Sequence, residues 1–105
     1  MEGATVLAVP AEAWPRDVEE YCRRNDIRVY LETAVELARK CFDPCTIRCE
    51  TARDYESNDE WIIVRVEVSG SPEDVLAAKQ EYTAEWVASV PWPQRHFVRL
   101  SFNIV

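Results

Sequence analysis

Trp61–Ser69 reads W-I-I-V-R-V-E-V-S, a run that leaves little choice of conformation. Ile62, Ile63, Val64, Val66 and Val68 are β-branched and no Gly or Pro interrupts them, so the run is expected to be a strand. Period-two alternation places Ile62, Val64, Val66 and Val68 on one face and Arg65 and Glu67 on the other. A strand of this kind needs hydrogen-bonding neighbours at its edges and a cover over its apolar face. The flanking segments offer both.

Trp14–Arg24 has the marks of a short helix. Pro15 suits its first turn, acids come early and Arg23 and Arg24 late, and Trp14, Val18, Tyr21 and Cys22 share a face. Asn25 is expected in the left-handed stop position, with Asp26 capping the next helix. Ile27–Phe42 carries apolar residues at helical spacing (Ile27, Tyr30, Leu31, Ala34, Val35, Ala38, Cys41, Phe42), with Val29 out of place, and Asp43-Pro44 ends it. Cys45–Thr51 alternates as a strand, with Cys45, Ile47 and Cys49 inward, and the polar run Asp54–Glu60 makes a hairpin loop into Trp61. Ser71-Pro72-Glu73-Asp74 is a helix start, and the helix runs to about Val90 with Val75, Ala78, Tyr82, Trp86 and Val90 on its apolar face. After the loop Pro91-Trp92-Pro93, Phe97–Val105 alternates again, with Val98, Leu100, Phe102 and Ile104 inward.

The expected architecture is α+β, in the order α-α-β-β-α-β. A hairpin and a right-handed β-α-β crossover form a small three-stranded mixed sheet, with the helices packed on one face. All 105 residues make one domain, residues 1–12 being either an arm or an edge strand.

The formal charge of −7 is spread along the chain. An acidic field repels phosphate backbones, so DNA is not an expected partner, and RNA is disfavoured for the same reason. No run is long enough to span a membrane. Ala4–Ala13 lacks the basic n-region and the length of a signal peptide, so the expected location is the cytoplasm.

Cys41, Cys45 and Cys49 are spaced suggestively, but on one strand Cys45 and Cys49 would lie about 13 Å apart, too far to share an ion. All four cysteines fall at apolar positions and read as core thiols of a reducing compartment. No metal or other cofactor is expected. His96 is the single histidine. With no nucleophile elbow and no phosphate loop in the chain, no catalytic residue is assigned. Parallel pairing of the last two strands would bring Trp92, Arg95 and His96 to the sheet edge holding Asp59 and Glu60, where they could border a pocket.

The outward sheet face carries the candidate binding residues: Arg48, Trp61, Ile63, Arg65, Phe97 and Arg99. Trp, Phe and Arg are favoured interface anchors. The expected function is therefore a non-enzymatic protein-interaction module, of the kind a bacterial accessory, inhibitor or antitoxin-like protein would be, binding a protein partner or itself as a homodimer. The alternative is small-molecule or single-stranded RNA binding by the same arginines and aromatics.

Overall fold

The structure, a computed structural model, describes residues 14–43 and 45–105. The expected arm or edge strand at residues 1–12 lies outside them. Among the described residues three helices, three strands and one 3-10 turn follow in the expected order: α1 (Arg16–Asn25), α2 (Arg28–Cys41), β1 (Cys45–Arg53), β2 (Glu60–Val68), α3 (Pro72–Ser89), the turn Gln94–Phe97, and β3 (Val98–Ile104). The sheet order is β1-β2-β3. β1 and β2 are antiparallel, with Cys45 opposite Val68 and Arg53 opposite Glu60. β2 and β3 are parallel, with Ile62 beside Val98 and Val68 beside Ile104. Trp61–Val68 thus becomes the central strand, paired on both edges.

This register aligns the inward rows. Cys49, Val64 and Leu100 lie side by side, as do Ile47, Val66 and Phe102. Ile62, Val64, Val66 and Val98 are buried beneath the helices, together with Val18, Leu31, Ala34, Val35 and Ala38. Burying a Val, Leu or Ile side chain contributes about 1.5–3 kcal/mol, so the inner row of β2 with Leu31 and Val35 of α2 is a large part of what holds the fold together. An aromatic group extends the core towards α3: Phe42 lies 6.2 Å from both Tyr82 and Phe102, and Tyr82 stacks on Trp86. Two hydrogen bonds fasten α1 to the sheet. The Tyr21 hydroxyl donates to the Glu60 carbonyl at 2.6 Å, and the Thr51 hydroxyl donates to Asp17 at 2.8 Å.

Local differences from the sequence reading have local causes. Asp26, not Asn25, takes the left-handed position, with φ 55°. Asn25 stays helical and its side-chain amide donates to the Tyr21 carbonyl, while the short Asp side chain tolerates the left-handed region. Asp26 therefore stops α1 and does not cap α2, whose N-cap position falls to Ile27 with no side-chain bond. Phe97 belongs to the 3-10 turn and starts no strand.

The start of α3 forms as its sequence implies. The Ser71 hydroxyl accepts from the Asp74 amide at 3.1 Å, and Pro72 occupies the first turn. Ser71→Ala is expected to lower stability by about 1 kcal/mol. Urea titration of the two proteins side by side checks this; an unchanged midpoint would mean the cap contributes nothing. Gly70 just ahead of it has φ 148°, a conformation that side-chain-bearing residues avoid. Along α3, Leu76 and Val87 are about half exposed.

Candidate interaction face

Because side chains alternate, the register that fixes the core also fixes the other face. Thr46, Arg48, Glu50 and Ala52 of β1 lie beside Glu67, Arg65, Ile63 and Trp61 of β2, and Arg99, Ser101 and Asn103 complete the rows from β3. Among the described residues the helices pack on the opposite face, leaving these side chains half-buried or exposed.

The face has three zones. At one end Arg99 lies over the Trp61 ring, its guanidinium carbon 4.1 Å from the ring centroid. In the middle Ile63 sits beside Arg65, whose Nε donates to Glu50 at 2.6 Å. Towards the other end Arg48 and Arg65 stand directly opposite each other. Arg48, Arg65, Glu67, Ser101 and Asn103 line a depression of about 330 Å3. Arg48 also borders a second hollow of about 380 Å3, between the edge of β1 and α2, with Trp14, Val35, Arg39 and Cys49 in its wall.

Of the expected face residues, Arg48, Trp61, Ile63, Arg65 and Arg99 fall on one continuous surface. Phe97 is placed differently. It is half-buried and packs against the core, with the His96 ring 6.4 Å away.

The loops preceding β2 and β3 do meet at one sheet edge, as parallel pairing demands, but the expected approach of Arg95 and His96 to Asp59 and Glu60 is replaced by other partners. Glu60 stands opposite Arg53 at the mouth of the hairpin and binds it at 2.9 Å, with Arg24 of α1 at 3.7 Å. These two cations hold its carboxyl below the usual range, the Arg53 hydrogen bond being the larger cause. Asp59 binds the Ser57 hydroxyl. His96 turns to Arg99, whose terminal nitrogen lies 3.0 Å from its Nε2, and Trp92 meets it edge-on at 5.5 Å. Among the described residues the Arg95 Nε is buried without a hydrogen-bond partner. Trp92, His96, Arg99 and Trp61 therefore form a ladder of rings and guanidinium running from the exposed Trp92 onto the sheet face.

The four cysteines are free thiols. Burial pushes Cys22 and Cys49 up to about 11, and raises Cys41 and Cys45 as well. Thiols held protonated this way are poor nucleophiles and poor metal ligands. Among the described residues no group of three or more His, Cys, Asp or Glu side chains is arranged to hold a metal ion. None of the helices described is long and apolar enough to cross a membrane.

Comparison with known protein families, with curated proteins and with solved structures finds no match.

Proposed function

We propose that this protein is a non-enzymatic interaction module of the cytoplasm that docks the acidic surface of a protein partner on its outward sheet face. The observation that carries this reading is the composition of that face. Trp61, Ile63, Arg48, Arg65 and Arg99 are contiguous on it and no described helix covers them. With Glu50 and Glu67 included, the face has a formal charge of +1 in a chain of −7, so the remaining surface carries −8. An acidic partner is repelled by most of this molecule and attracted to one side of it, and such asymmetry selects orientation and speeds encounter. The four free thiols suit a reducing compartment.

One observation favours a protein partner over single-stranded RNA. A base stacks on an exposed aromatic face, but Arg99 already lies over Trp61 and Phe97 packs towards the core. The face thus offers an aromatic-backed cation, better suited to an acidic side chain than to a base.

Parallel affinity capture tests the reading, using the wild-type chain, Ile63→Asp on the face and Gln80→Asp on exposed α3. The expected result is an acidic protein recovered with wild type and Gln80→Asp and lost with Ile63→Asp. Equal recovery by all three would contradict the reading, and recovery of only a second copy of this chain would replace the partner with self-association.

A further inference from the structure

Two like charges, Arg48 and Arg65, meet on the sheet face. They are direct partners across β1 and β2, and like charges placed this way repel and destabilise a sheet. Arg65 is compensated through its Nε by Glu50. Arg48 has neither an ion pair nor a side-chain hydrogen bond among the described residues. Glu67, two residues along β2 from Arg65 and diagonally across from Arg48, forms no ion pair with it. Ser101 stands beside Arg65 on β3, and Asn103 is next in the same outward row. The depression these residues line is about 330 Å3, the lower end of the range for ligand sites. It presents two guanidinium forks, a hydroxyl and an amide.

We propose that this notch is a carboxylate-binding site that receives an Asp or Glu side chain of the partner. The proposal rests on the reading of the sheet face as an interaction surface and names its anchor. The Nε of Arg65 serves Glu50, leaving its terminal nitrogens for a ligand beside the fork of Arg48, which none of the described residues engages. Guanidinium forks match the two oxygens of a carboxylate in plane and spacing. A bound carboxylate also relieves the Arg48–Arg65 repulsion, so the arrangement that costs stability in the free chain favours the complex. A singly charged carboxylate fits better than a phosphate, because Glu67 lines the same depression and the rest of the chain is strongly acidic.

NMR of the full chain tests this, following the Arg48 Nε–Hε signal and the Ser101 amide. The probes are a capped pentapeptide with Glu at alternate positions and Ser between, the same peptide with Gln in place of Glu, and inorganic phosphate. The Glu peptide is expected to shift both signals, and the Gln peptide to shift neither. Followed through the Ser101 amide, Arg48→Ala is expected to weaken binding about ten-fold, and Arg48→Lys less, because Lys keeps the charge but lacks the fork. Unmoved signals, equal shifts with the Gln peptide, or tighter binding of phosphate would each overturn the carboxylate site. Those results leave the interaction face standing as long as capture remains sensitive to Ile63→Asp. Loss of that sensitivity overturns the face itself.

Discussion

Trp86→Ala is expected to lower the unfolding free energy by about 3–5 kcal/mol, a large share of what holds a domain of this size together. Trp86 is 8% exposed and lies at the end of the stack that runs from Phe102 through Phe42 and Tyr82. Removing the indole takes away one side of the Tyr82 ring and leaves a cavity between α3 and the core, which neighbouring backbone fills only in part. The result should be a lower denaturant midpoint with an unchanged slope. Val87→Ala one position along, at 49% exposure, should cost less than about 1 kcal/mol. Similar midpoints for wild type and Trp86→Ala would show that the ring cluster does not hold α3 in place.

A comparable loss is expected at alkaline pH. Burial disfavours the ionised forms of Cys22 and Cys49, pushing them from 9.0 up to about 11, and of Tyr21, from 10.0 up to about 12. Burial raises Tyr82 further still. In the folded chain these groups keep protons that the unfolded chain gives up. Their contribution to stability is therefore complete below the unfolded values and is lost as pH rises through them towards the folded ones. Each group contributes a slope of up to about 1.4 kcal/mol per pH unit within its window, so their combined effect reaches several kcal/mol. Urea midpoints measured at successive pH values should fall steeply from about pH 9 upward. A flat midpoint through that range would contradict the burial of these four groups.

The core was legible in the sequence because two periodicities wrote it twice. Alternation in Trp61–Ser69 named Ile62, Val64, Val66 and Val68, and helical spacing in Ile27–Phe42 named Ile27, Leu31, Ala34, Val35, Ala38 and Phe42, all of which the structure buries, while Tyr30 and Cys41 are half-buried; the capping residues of α3 marked its start. The order of elements then left few ways to build a sheet, and the hairpin with a parallel third strand is the one formed. The face could be named residue by residue, since whatever alternates away from the core must lie on it. Its electrostatics could not, because they depend on register. The length of the hairpin loop decides that Arg48 meets Arg65 and that Arg53 meets Glu60. A shift of one pairing position would have given Glu60 another cross-strand partner. Phe97 was misplaced for a related reason: the 3-10 turn that ends with it absorbs the residue that alternation assigned to the outer row. Asp26 shows the same limit at one residue, where Asn and Asp compete for a left-handed position and a side-chain bond to Tyr21 decides between them.

A partner is expected to dock on the outward face of β1, β2 and β3. Site-specific photo-crosslinking tests it most directly, with benzoylphenylalanine placed at position 63 on the face or at position 80 on α3. One discrete cross-linked product is expected from position 63, joined to an Asp- or Glu-containing peptide of another protein, and none from position 80. Cross-links from position 80 with none from position 63 would contradict it.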